Sequence, residues 1–121
     1  MGDLTKNFSR HEFKCRCGCG KIGGSPKFMQ GVKMLQKIRD KLGVPLVVCS
    51  AYRCPKHNKA VGGAAKSRHT FGDAFDIAVP KGLTVDKLAA EARAVGFTGI
   101  GRYYKQNFVH MDLWTKREWT D

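Results

Sequence analysis

Acidic side chains are scarce in this chain: 10 Asp and Glu stand against 22 Lys and Arg, which gives a net charge of +12 and a pI near 9.8. The imbalance directs the molecule toward polyanions, and nucleic acid, teichoic acids and lipopolysaccharide all qualify, because a long-range field reads only the sign of the partner. Long apolar runs are missing too. No stretch approaches the roughly 18 consecutive apolar residues of a membrane span, so no membrane segment is expected. The opening Met1-Gly2-Asp3-Leu4-Thr5-Lys6-Asn7 has no basic stretch followed by an apolar one, so the expectation is synthesis in the cytoplasm without a secretory signal. Lys6 stands where a myristoylation motif needs Ser or Thr. There is no internal repeat, no low-complexity segment and no Pro- or Ser-rich linker, which leaves a single domain over 1–121. Zinc-finger spacing, a recognition-helix signature and the aromatic motif of RNA binders are also absent. Charge therefore stands alone, and no specific nucleic-acid partner is expected.

What is present suffices for one folded core. Of the 121 residues, 42% are hydrophobic and 26% charged, ordinary values for a globular domain. The cysteines are Cys15, Cys17, Cys19, Cys49 and Cys54, an odd number that cannot all pair within one chain. Alternation of the first three does not match the usual paired spacing of a zinc knuckle. The expectation is a structural role, with one or two of them pairing to Cys49 or Cys54 under oxidation and remaining thiols otherwise; a second zinc site is the lesser alternative.

Periodicity places the elements. Ser25 can cap and Pro26 can open a helix whose inward face is Phe28, Val32, Leu35, Ile38 and Leu42, closed by Gly43. Pro45 to Ser50 is short, apolar and β-branched and reads as a core strand leading into Ala51-Tyr52-Arg53. Cys54 to Thr70 is a polar loop with room for one helical turn. Ala74 to Val79 alternates as a strand with Ala74, Asp76 and Ala78 on one face. Thr84 and Gly96 bracket a second helix over Val85 to Val95, with Leu88, Ala89 and Ala92 inward. Thr98 to Tyr104 and Phe108 to Trp114 then form a hairpin through Lys105-Gln106-Asn107, with Phe108, His110 and Asp112 sharing a face.

The chemistry concentrates in Ser67-Arg68-His69-Thr70-Phe71-Gly72-Asp73-Ala74-Phe75-Asp76, where a histidine and an aspartate flank a glycine. Catalytic zinc takes three protein ligands of His and carboxylate type and keeps a fourth position for water. His69 and Asp76 supply two. His110 is the best-placed third, since a mid-strand position in an apolar run points it inward on rigid backbone, whereas His11 and His57 lie in the amino-terminal segment and the loop. Taken singly, His110 could be a core histidine and Asp76 a paired carboxylate; as a set they read as a metal site. A cysteine nucleophile at Cys54 beside His57 has only sequence proximity in its favour.

Ser67-x-His69-x-x-Gly72-x-Ala74-x-Asp76, preceded by Ser50-Ala51-Tyr52-Arg53 and Asn58-x-x-Val61-Gly62-Gly63-Ala64 and followed by Phe108-Val109-His110-Met111-Asp112, closely resembles the D-alanyl-D-alanine carboxypeptidase family of zinc peptidases. That family includes vancomycin-resistance dipeptidases and phage endolysins and shares a fold with the hedgehog signalling domain; the likeness runs from about Phe8 to Trp114. The resemblance implies Zn2+ on His69, Asp76 and His110. It also implies that Arg53 steadies the substrate carbonyl and the oxyanion, that Ser67 either binds substrate or shapes the turn before His69, and that Gly72 supplies a backbone angle. One departure matters: many relatives carry Glu or Asp three residues before the last zinc histidine, and here that residue is Asn107, which takes no proton at neutral pH. Asp112 is the favoured general base, or else a carboxylate orienting His110; Asp73 is a further candidate.

The expectation is thus an α+β domain, hedgehog-like, with a small, mainly antiparallel sheet, helices packed on one side and zinc at the open face. The expected activity is hydrolysis of peptide bonds in bacterial peptidoglycan by a monomer, in the manner of a phage or prophage endolysin released through holin-type pores, with anionic wall polymers as charge partners. The alternatives are a D-Ala-D-Ala carboxypeptidase or dipeptidase, and a zinc-bearing wall-binding module without catalysis.

Overall fold

A computed structural model describes residues 4–15, 19, 26–62, 69 and 72–121. Its helices are α1 (Pro26–Leu42), α2 (Pro55–Ala60) and α3 (Val85–Val95), with a 3-10 turn at Arg10–Glu12. The strands are β1 (Val48–Ser50), β2 (Ala74–Ala78), β3 (Gly99–Tyr103), β4 (Phe108–Asp112) and β5 (Arg117–Thr120). They form one sheet in the order β1-β2-β4-β3-β5, antiparallel except for the parallel pair β3–β5. The α+β architecture with a mainly antiparallel sheet is as expected.

Strand alternation divides the sheet into two faces of different chemistry. Phe75, Ile77, Ile100, Val109 and Met111 are fully buried and join Phe28, Val32, Leu35 and Ile38 of α1 and Leu88, Ala89 and Ala92 of α3 in one core. Gly31 lets α1 approach β2 closely, since a Cβ there would overlap the Phe75 ring. The amino-terminal segment seals the end of this core: Phe13 meets Phe28 and Phe75 edge-on at 5.5 and 5.8 Å between centroids, and Phe8 packs on Phe13. Each such buried aromatic contributes about 1.5–3 kcal/mol through the surface it removes from water. Buried Gln36 secures the segment by accepting from Thr5 Oγ1 and Asn7 N and donating to the Asn7 and Asp40 side chains.

The helix boundaries follow the caps. Thr84 Oγ1 accepts from Lys87 N at 3.1 Å, and Gly96 ends α3 in the left-handed region at φ 112°, which is why glycine stands there. The Ser25 cap expected for α1 lies outside the described residues, and the expected helical turn after Cys54 is α2.

Two expectations need correction. The strand is shorter than expected: it spans Val48–Ser50, with Val47 reaching the sheet only through its carbonyl, which accepts from Ala78 N at 3.0 Å; Leu46 and Val48 are buried, and Val47 and Cys49 are exposed. The apolar run is a half-buried edge, where alternation rather than a continuous core strand is the rule. Beyond the hairpin, β5 was not anticipated. Glu118 holds it by accepting from Arg93 on α3 and Arg102 on β3.

Candidate metal centre

The register lines up five residues across the face opposite the core. Ser50 of β1 pairs with Asp76 of β2, Asp76 with His110 of β4, His110 with Gly101 of β3, and Gly101 with Trp119 of β5. Cross-strand neighbours on one face stand about 4.5–5.5 Å apart, which suits side chains that share one ion. His69 arrives from outside the sheet. Its carbonyl accepts from Arg53 N at 3.0 Å and from Gly72 N at 3.4 Å, and Gly72 turns the chain at φ 79° on its way into β2, as the sequence implied.

Asp76 Oδ1 is the meeting point, 3.2 Å from His69 Nε2 and 2.9 Å from His110 Nδ1. Donor atoms of His69, Asp76 and His110 all lie within 4.8 Å of one another, so the three residues chosen from sequence are brought together. The two rings meet edge to face at 5.1 Å, which aims both toward the carboxylate.

The far nitrogen of each imidazole has its own partner, and these partners set the protonation pattern. His69 Nδ1 is 2.6 Å from the Ala51 carbonyl, which can only accept, so Nδ1 carries a proton and Nε2 is the nitrogen left to face a cation beside Asp76. His110 Nε2 is 2.8 Å from Asp112 Oδ2, so the same logic leaves Nδ1 as its ligand atom. Histidines that bind metals are oriented in this way, with the second N–H given to a carbonyl or carboxylate. Two imidazoles and one carboxylate, each imidazole buttressed, are a donor set that fits zinc.

Burial penalises the imidazolium of His110, but hydrogen bonds to Asp112 and Asp76 overcome it and raise its pKa to about 9, so a cation bound at Nδ1 would take the place of a proton. Burial likewise opposes ionisation of Asp76 and Asp112, yet contact with the histidines, and for Asp112 with Arg117, holds both carboxyls well below the usual range. The pocket therefore has the electrostatics of a cation site.

Of the residues behind His110, sequence reasoning named Asp112 and missed Arg117 and Trp119. Asp112 is fully buried and accepts from Arg117 through Nη1 at 3.0 Å and Nη2 at 2.7 Å, and from Trp114 N at 3.1 Å. Trp119 lies 5.2 Å from the His110 ring and 5.0 Å from the Arg117 guanidinium. Both side chains come from β5, and both need the glycines of β3. A Cβ on Gly99 would overlap the Asp112 carboxylate and Arg117, and one on Gly101 would overlap the Trp119 ring. The glycine alternation in Gly99-Ile100-Gly101, followed by the Arg117-x-Trp119 alternation, was the available signal.

Arg53 has its backbone tied to His69 and a buried Nε without a hydrogen-bond partner among the described residues. Ser67 lies outside the described residues. Asp73 is buried beside β2, its carbonyl accepting from Leu113 N. Asn107 is an exposed turn residue with φ 59°, a left-handed conformation that Asn tolerates better than most residues, so its identity has a conformational reason.

A buttressed His-Asp-His cluster on the open face of this sheet could hold a metal, and the chain belongs to the Peptidase M15 family, whose model matches residues 6–112. Among curated proteins it is similar to the peptidoglycan L,D-endopeptidase MepK of Escherichia coli strain K12, with 32% identity over 92 residues that cover 70% of this chain and 50% of the relative. The protein of the same name from Shigella flexneri matches to the same extent. The chain thus spans about half the length of these relatives.

Proposed function

We propose that this chain is a zinc peptidase that hydrolyses peptide bonds within the stems of bacterial peptidoglycan. The observation that carries the reading is the convergence of His69 Nε2, Asp76 Oδ1 and His110 Nδ1, with the opposite nitrogen of each ring held by Ala51 O and Asp112. Membership of the M15 family and the likeness to an L,D-endopeptidase of peptidoglycan support the substrate class. Zinc, when bound, supplies a Lewis acid and an acidified water.

The protein's own groups divide the remaining work. Ala51 O and Asp112 keep one proton each on His69 Nδ1 and His110 Nε2, so that the facing nitrogens stay available as ligands. Asp112 is assigned to positioning His110 rather than to receiving the proton of the attacking water: it is fully buried, and its oxygens are engaged by His110, Arg117 and Trp114 N. Arg53 is assigned to the substrate carbonyl and the oxyanion, supported by its link to His69 and by an Nε without a hydrogen-bond partner among the described residues. Ser67 is assigned to substrate binding, one of the two roles that the family resemblance implies for it. The charge of +12 suits an enzyme working among anionic wall polymers, as an endolysin of a phage or prophage does.

Mass spectrometry of purified peptidoglycan digested by the zinc-loaded chain, beside chelator-treated and His69→Ala samples, tests the reading. New amine termini are expected only with intact metal, at an internal L,D bond of the stem. Release of terminal D-Ala alone would make it a carboxypeptidase, and zinc binding with no cleavage across several wall types would make it a binding module.

A further inference from the structure

Away from the His-Asp-His cluster, one other group of side chains among the described residues can hold a metal: Cys15, Cys19 and Cys54, whose sulfurs lie within 4.8 Å of one another. Cys15 comes from the amino-terminal segment just after Phe13, and Cys54 immediately precedes α2. Their Sγ atoms are 3.7 Å apart. A disulfide needs about 2.05 Å, whereas two sulfurs on a tetrahedral zinc with bonds of about 2.3 Å stand about 3.8 Å apart. The spacing excludes a disulfide and matches that of co-ligands, and Cys15 Sγ–H donates across it to Cys54 Sγ.

Backbone amides point at these sulfurs. Cys54 N–H donates to Cys15 Sγ at 3.3 Å, and His57 N–H donates to Cys54 Sγ at 3.4 Å. Hydrogen bonds of this kind favour the thiolate over the thiol, and thiolate is the form that binds metal. A third sulfur close to the pair is of no use to a disulfide but is what a thiolate metal site requires. Cys49, exposed on β1, stands outside the group.

We infer that Cys15, Cys19 and Cys54 supply three of the ligands of a second zinc ion, separate from the His69-Asp76-His110 site and structural in role. The ion clamps the amino-terminal segment to the chain at Cys54, one residue after Arg53, whose N–H holds the His69 carbonyl. It thereby fixes the local backbone from which Arg53 and His69 project. The inference does not depend on the peptidase reading.

Metal counting on the full chain, purified under reducing conditions, tests it. The wild type and Cys49→Ser are expected to carry two zinc ions per chain, and His69→Ala and Cys15→Ser one each. Since Cys15→Ser could simply unfold, a second measurement uses cobalt(II) in place of zinc in the wild type and His69→Ala. Both are expected to show the intense near-ultraviolet absorption of thiolate-to-cobalt charge transfer, retained when His69 is lost. A single zinc that disappears in His69→Ala, cobalt spectra without the thiolate band, or a Cys15–Cys54 disulfide in the metal-replete protein would each overturn the second site. Each leaves the His-Asp-His reading standing.

Discussion

Replacing Asp112 by asparagine separates two roles that one carboxylate could play. In the wild type the buried carboxylate accepts hydrogen bonds from His110 Nε2, Arg117 Nη1 and Nη2, and Trp114 N. An asparagine has one acceptor oxygen, and its NH2 group would face either the His110 N–H or the Arg117 guanidinium, donor against donor. If Asp112 orients His110, the loss falls on the metal. Removing such a partner typically weakens binding about 10–100-fold, or about 1.4–2.8 kcal/mol at 1.4 kcal/mol per decade. Stability falls as well, because Arg117 loses a charged partner and His110 Nε2–H an acceptor. Zinc affinity measured by competition with a chromophoric chelator, together with kcat on a stem peptide at saturating zinc, reads both effects. The expected result is weaker zinc binding with kcat largely restored once the site is filled. If Asp112 were the base, zinc affinity would persist while kcat fell about 10²–10⁴-fold. That outcome would refute the positioning role.

Three further perturbations probe the frame around the site. Gly101→Ala drives a Cβ into the Trp119 ring, and such overpacking costs about 1–3 kcal/mol, measurable as a lower urea midpoint with an unchanged slope. Asn107→Gly is expected to keep both stability and activity, whereas Asn107→Ala loses about 1 kcal/mol in the left-handed turn at φ 59° and leaves kcat unchanged; a large fall in kcat for either variant would give Asn107 a catalytic part. Buried Glu91 accepts from Lys41 at 2.9 Å and Lys87 at 3.0 Å, and those hydrogen bonds lower its pKa below the ordinary 4.5. Its contribution is therefore present above pH 4.5 and lost as pH falls through the lowered value. Glu91→Gln should be less stable by about 1 kcal/mol at pH 7, with the gap closing in acid, and a gap that persists at low pH would point to packing instead.

Legibility in the sequence depended on how local each cause was. α3 was readable to its ends, because Thr84, Gly96 and the Leu88-Ala89-Ala92 stripe are signals within one helix. His69, Asp76 and His110 were readable because few arrangements explain a charge and an imidazole in the middle of apolar strands, and the register Asp76↔His110 then joins them. Of the supports behind them, Asp112 was readable from the strand face it shares with His110, and the others were not. Ala51 acts through its carbonyl, which no side-chain pattern reports. Arg117 and Trp119 belong to a four-residue strand whose place depends on two glycines of β3, a relation visible only once the strands are side by side. Val47 misled in the opposite direction: an apolar run looked like core, but the strand lies at the sheet edge and turns Val47 to solvent at 62% exposure. For the cysteines, sequence named Cys54 as a partner, yet the gathering of three sulfurs depends on how the Phe8–Phe13 segment docks.

The most direct test of the central claim is a crystal structure of the zinc-loaded chain with anomalous diffraction at the zinc edge. The expected density is that of an ion bound by His69 Nε2, the Asp76 carboxylate and His110 Nδ1, with His110 Nε2 still on Asp112. Zinc found only on the cysteine sulfurs, or a His110 ring turned to ligate through Nε2, would contradict it.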